Sequence, residues 1–98
     1  MLIQGSKLRE KASGLAGWSI EKGHLQKHFK FKSFKNSMSF AGIVANIAEK
    51  LNHHPEILIK YDVVVLSVIT HDEGGITDKD FRLAEEIEHY LANKPLSE

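Results

Sequence analysis

Asn52-His53-His54-Pro55 sets two imidazoles side by side just before a proline, and a third, His71, closes the next strongly apolar run. Histidine gives or takes a proton near neutral pH without special tuning. Two histidine-bearing corners that meet in space can therefore move protons on a small molecule. Neighbouring residues in extended chain point to opposite sides, so His53 and His54 are badly arranged to chelate one ion together. They suit a division of labour, one imidazole acting and the other orienting, or contact with two faces of a flat ligand. A structural zinc with Glu49 or Asp72 as fourth ligand is the rival reading, and the His-His adjacency weighs against it. Any one of these histidines alone reads as a surface or capping residue. Their convergence carries the functional reading.

Those corners need elements to hold them. Ser6 to Leu15 reads as a first helix with Leu8, Ala12 and Leu15 as its apolar stripe, ending near Gly14 or Gly17. Trp18-Ser19-Ile20 is a strand, turned at Lys22-Gly23 into an alternating strand from Leu25 to Lys32. There Leu25, Phe29 and Phe31 share one face with Lys27. Ser33 is an N-cap for a long helix to about Leu51, with an apolar face of Phe34, Met38, Ala41, Val44, Ala45, Ala48 and Leu51. Pro55 disfavours helical geometry at His54, so the helix stops just before the histidine pair. Ile57 to Lys60 and the β-branched run Val63 to Thr70 form a hairpin through Tyr61-Asp62, which brings His54 and Pro55 close to His71. His71 to Ile76 is a loop. Thr77-Asp78-Lys79-Asp80 is an acidic capping box for a last helix, which runs to about Asn93 and is ended by Lys94-Pro95. Phe81, Ala84, Ile87 and Leu91 face inward on it, and Asp80 reads as a first-turn carboxylate with a mainly structural part.

The order α-β-β-α-β-β-α predicts a single α+β domain over residues 1–98: a four-stranded antiparallel sheet with three helices packed on one face. Both faces of the Val63–Thr70 strand are apolar, so the face without helices predicts a partner surface, another copy of the chain.

Composition narrows the classes. The 98 residues carry 13 Lys+Arg against 13 Asp+Glu, which argues against a strongly basic nucleic-acid binder. Charge is unevenly spread: residues 1–35 hold eight Lys/Arg and two acids, residues 72–98 eight acids and three Lys/Arg. Cysteine is absent, which removes disulfides and thiolate chemistry. With no apolar leader or span, a soluble cytoplasmic protein is expected.

Glu49-x-x-x-His53-His54-Pro55, then Tyr61 six residues past the proline, then His71 and Asp80, resemble the pattern of the pterin-4a-carbinolamine dehydratase family. Gly17-Trp18, Phe31-x-x-Phe34 and Thr70-His71 with Gly75-Ile76-Thr77 add to the likeness, which spans roughly Leu15 to Leu91. The resemblance implies dimers or tetramers of the fold just described, with no metal and no cofactor. It implies dehydration of a 4a-hydroxytetrahydropterin (4a-hydroxytetrahydrobiopterin), supplied by an aromatic amino acid hydroxylase, to quinonoid dihydropterin and water in tetrahydrobiopterin recycling. Substrate contacts map onto His53, His54 and Pro55, and onto Thr70, His71, Asp72 and Glu73. Imidazole, which titrates at about 6.5 in peptides, suits both proton transfers. His53 and His71 are expected to exchange protons with the hydroxyl and N5, with His54 assisting and Glu49 holding an imidazole or the pterin's amino edge. Asn52, where an acid is common, and Ile57, where an aromatic is common, depart from the pattern.

Two other classes compete. The family also resembles a dimerisation cofactor for a transcription factor, a binding role that would extend to the nucleus, and some of its relatives have assembly roles. The run Lys27-His28-Phe29-Lys30-Phe31-Lys32-Ser33-Phe34-Lys35 interleaves cations and aromatics as single-strand binders do. Its parity puts aromatics inside and cations outside, so an amphipathic strand explains it and no direct nucleic-acid contact is expected.

Overall fold

The computed structural model describes residues 1–93. The stop expected at Lys94-Pro95 lies outside them. Chain order is α1 (Gly5–Ser13), β1 (Ser19–Glu21), β2 (His24–Lys30), α2 (Phe34–Leu51), β3 (Glu56–Lys60), β4 (Val63–Val68), a 3₁₀ turn (His71–Glu73) and α3 (Asp78–Asn93). The strands form one antiparallel sheet in the order β1-β2-β4-β3. The predicted architecture holds, with ends shifted by a few residues: Trp18 lies outside β1, and β4 stops at Val68 rather than Thr70.

Two-residue turns set the register. Lys22 and Gly23 both have positive φ, 51° and 82°, as the β1–β2 connection requires. Tyr61, at φ 52°, begins the β3–β4 turn, and the next residue is tied down by Lys30 Nζ donating to Asp62 Oδ2 at 2.6 Å.

One parity of the sheet builds the core. Leu25 pairs with Val68 and Phe29 with Val64, and these join Leu66 under Phe40, Val44 and Ala48 of α2 and Phe81, Ala84 and Ile87 of α3. Phe40 is fully buried, its ring 4.7 Å from Phe29 and 5.0 Å from Phe31. Burial of one such ring is worth roughly 2–3 kcal/mol. Phe29 and Phe31 are therefore core residues, unable to act as stacking platforms. Lys27 shares their face by bending out: its Nζ reaches Glu88 Oε2 at 2.7 Å and Ala16 O at 3.0 Å, and Trp18 Nε1 donates to the same Glu88 oxygen at 2.8 Å. Gly17 (φ 86°) gives that lysine room, since a Cβ there would lie 2.7 Å from Lys27 Cε.

Helix α2 corrects the expectation about its face. Ser33 caps it as predicted, accepting from the Asn36 N–H at 3.0 Å. The buried row, however, is Ser37, Phe40, Val44 and Ala48, while Phe34 and Met38 are about half exposed (51% and 49%) and Ala45 is exposed. Ser37 enters the core because its hydroxyl donates to Ser33 O at 3.3 Å.

On the far side of the sheet Val65 is buried and Val63, Ser67 and Ile69 are half-buried, while Leu58 of β3 is exposed. At the other end, Ile3 N–H donates to Ile76 O at 2.9 Å and Leu2 bridges Thr77, so the N-terminal segment straps the loop after the 3₁₀ turn.

Candidate active site

The site begins with how α2 ends. Asn52 takes the left-handed conformation (φ 53°, ψ 43°), its N–H donating to Glu49 O at 3.2 Å, and the His53 N–H returns to Ala48 O at 3.0 Å. These two reversed bonds are a Schellman turn. They anchor His53 to the helix instead of leaving it on a free loop. Asparagine tolerates left-handed backbone better than most residues, which gives the departure at Asn52 a local physical reason. Replacing Asn52 with Ala is expected to lower stability by about 1 kcal/mol, and Asn52→Gly to leave it unchanged. Urea denaturation checks both.

From this turn the two imidazoles part as adjacency predicts. His54 Nε2–H donates to Glu49 Oε2 at 2.6 Å on the exposed side of α2, so Glu49 holds an imidazole. His53 points the other way, across to α3, and its Nε2 lies 2.6 Å from Asp80 Oδ1.

Asp80 is fully buried. Its Oδ2 accepts the Thr77 N–H at 2.8 Å, as the capping box predicts, and also the Thr70 hydroxyl at 2.8 Å. A carboxylate only accepts, so every hydrogen here has one assignment. Thr70 gives its proton to Asp80. Thr77 Oγ1 must then donate to Thr70 Oγ1 (2.7 Å), and it accepts from the Lys79 N–H (3.2 Å). His53 must carry its proton on Nε2, which leaves Nδ1 as the nitrogen free for chemistry. Charge-assisted bonds offset the burial of the carboxylate, and no buried side-chain polar atom among the described residues lacks a partner.

The register of β3 on β4 (Glu56 opposite Ser67, Lys60 opposite Val63), carried three steps further, sets His53 across from Thr70. An open cleft of about 360 Å³ lies there. It gathers Asn52, His53 and His54 from the exit of α2, Ile69 to Asp72 from the end of β4, and Lys79 from α3. Of the predicted site residues, His53, His54, Thr70, His71 and Asp72 line it. Pro55 does not, Glu49 stands behind His54, and Glu73 Oε1 is 2.7 Å from the amino group of Met1. His71 is exposed at the start of the 3₁₀ turn, and Thr70, only 3% exposed, has its hydroxyl committed to Asp80. A larger hollow of about 450 Å³ beside Leu2, Leu8 and Ile76 offers no acid–base group except Lys22. No cluster of three or more His, Cys, Asp or Glu among the described residues is arranged to hold a metal ion.

Sequence reasoning missed two parts. Asp80 is more than a helix-start carboxylate, and the available signal was arithmetic: a capping box uses one carboxylate oxygen and leaves the other to be satisfied. Lys79 had no signal, because its place at the cleft follows from how α3 starts beside His53.

Comparison with known proteins bears on this geometry directly. The sequence matches the model of the pterin 4 alpha carbinolamine dehydratase family over residues 2–90. The chain belongs to that family. A Sulfolobus acidocaldarius protein provisionally named pterin-4-alpha-carbinolamine dehydratase is 40% identical over 87 residues, covering 89% of this chain and 96% of that one. A Prochlorococcus marinus protein with the same provisional name is 41% identical, covering 88% and 90%. Among solved structures, a transcriptional coactivator/pterin dehydratase from Brucella melitensis superposes with a TM-score of 0.83 at 32% identity, covering 89% of this chain and 95% of that one. A pterin dehydratase-like RuBisCO assembly factor of the alpha-carboxysome shares the fold at a TM-score of 0.59 and 19% identity, covering 74% and 83%. Membership of this family implies a pterin as ligand. Among the described residues no helix is long and apolar enough to cross a membrane.

Proposed function

We propose that the protein dehydrates a 4a-hydroxytetrahydropterin to the quinonoid dihydropterin and water. One observation carries the reading: His53 and His71 line one open cleft, and the far nitrogen of His53 is held by a buried carboxylate. In the substrate, carbon 4a bears a hydroxyl and the N5 amine. One imidazolium protonates the departing hydroxyl. The N5 lone pair forms the C=N bond as the C–O bond breaks, and water leaves. The other imidazole then takes the N5 proton. One proton is given and one taken, so the pair is reset by a proton exchange with solvent. His54, held by Glu49, assists at the cleft mouth, and Asp72 adds a contact to the ring from the same cleft. An aromatic amino acid hydroxylase supplies the substrate, and the chain works in the cytoplasm as a homodimer or homotetramer.

The test is the dehydration rate of hydroxylase-generated 4a-hydroxytetrahydropterin, followed by absorbance. Wild-type protein should run well above the spontaneous rate, and a His53→Ala/His71→Ala double variant should not. Wild type at the spontaneous rate would sink the proposal.

The exposed Phe34 and Met38 on α2 favour a second reading, a binding protein that uses this helix face. A stable heteromeric complex that survives loss of both histidines would support it.

A further inference from the structure

His53 has a hollow on each side. The second, about 330 Å³, is lined by Lys50 and Leu51 from the last turn of α2, by His53, and by Lys79 and Arg82 from the first turns of α3. His53 and Lys79 belong to both hollows, so the second continues from the cleft described above.

Its charge is unusual for its place in the chain. Residues 72–98 hold eight acids and only three Lys/Arg, yet two of those three, Lys79 and Arg82, stand here beside Lys50. No side chain of the three has an ion pair or hydrogen bond among the described residues. Three nearby carboxylates are engaged elsewhere, Asp80 with His53, Glu49 with His54, and Asp78 with Lys11 at 3.8 Å, and among the described residues Asp72, Glu85 and Glu86 form no ion pair with the three cations. Three like charges around one hollow repel each other and concentrate positive potential there. A guanidinium fork with two ammonium groups is the donor set that receives phosphate oxygens.

We infer that this hollow receives a phosphate ester carried on the side chain of the pterin, with the ring seated between His53 and His71. The inference rests on the pterin reading and names the substrate more closely. A phosphate monoester carries close to two negative charges near neutral pH, which answers three cations better than a single carboxylate does. A pterin with a neutral side chain leaves all three without a counter-charge. Because the hollow shares a wall with the acid–base cleft, an anion bound there fixes how far the ring slides past His53. The substrate selected is then a phosphorylated pterin in preference to its free alcohol.

Equilibrium dialysis with 7,8-dihydroneopterin and its phosphate monoester tests this on the full chain. In wild type at low salt the ester should bind about tenfold more tightly, the scale expected of a few solvent-exposed charge-assisted contacts. The preference should shrink as salt is added. In Lys50→Gln/Arg82→Gln the ratio should fall to about one, while the free alcohol binds as in wild type, which also reports an intact fold. Arg82→Lys should keep part of the preference. Equal affinity for both pterins in wild type would overturn the inference and leave the pterin reading standing. Failure of both pterins to bind would overturn the two together. Binding of inorganic phosphate as tight as that of the ester would overturn it in favour of a free-anion site.

Discussion

Asp80→Asn should leave the protein folded and lower kcat/KM on the order of 100- to 10,000-fold, the range that separates a correctly poised acid–base group from a misplaced one. The change is isosteric, but it removes one acceptor. Thr77 N–H and the Thr70 hydroxyl both point at Oδ2, so the remaining amide oxygen turns toward them. The amide NH₂ then faces His53 and donates. His53 Nε2 must become the acceptor, its proton moves to Nδ1, and the nitrogen not bound to residue 80 presents the wrong valence for a base. ¹⁵N spectra of the imidazole separate this from a structural effect, since the tautomer of His53 should invert while the thermal transition stays close to wild type. Asp80→Ala is the contrasting case. It strands two buried donors and the ring, removes half of a capping box, and should cost about 3–5 kcal/mol in urea denaturation. If Asp80→Asn keeps full activity, the buried carboxylate serves only the fold.

His53→Ala should lower kcat/KM by a similar factor, about 100-fold or more. His53 is only 13% exposed at its side chain and is fixed from two directions, by its backbone to α2 and by its ring to α3. Alanine removes the proposed proton carrier and also one donor to Asp80, so a stability loss of roughly 1–3 kcal/mol accompanies it. Imidazole added to the assay should restore part of the rate, because the vacated space opens on the cleft. His54→Ala should do far less: that ring is 55% exposed and its partner Glu49 is 76% exposed. A His53→Ala protein with the wild-type rate would remove His53 from the proton transfer.

The sheet was legible in the sequence because two-residue turns and strict alternation leave little choice: Lys22-Gly23 and Tyr61-Asp62 place every pair on either side of them. The proximity of His53 and His71 followed from that hairpin without any side-chain knowledge. Helix α2 was harder. Counting apolar residues from Phe34 picked a face that includes the exposed Phe34 and Met38 and passed over Ser37, which is buried because its hydroxyl is satisfied within the helix. Hydrophobic periodicity cannot see a polar atom that finds its partner locally. Asp80 was misjudged for a related reason. Its helix-start role is a one-turn pattern, but its second oxygen is met by His53, 27 positions away, and the capping oxygen is shared with Thr70, 10 positions away. Lys79 reaches the cleft only through the packing of α3 beside the exit of α2.

The Thr77–Thr70–Asp80–His53 chain also has an evolutionary reading. Each hydroxyl hydrogen in it has one acceptor, so a change at any single position strands a neighbour, and intermediates between this arrangement and another are unfavourable. Replacement of the side chains as a block by apolar residues of similar size leaves only the Thr77 N–H to be capped anew, and costs a fold less than the single changes do. A lineage that kept this architecture for binding alone would be released to make that exchange in one region while its helices and hairpins stayed intact. If the proposed proton transfer is what selection holds, hydroxyls and carboxylate are expected at positions equivalent to Thr70, Thr77 and Asp80 in relatives that perform it, and an apolar trio there in those recruited to other work.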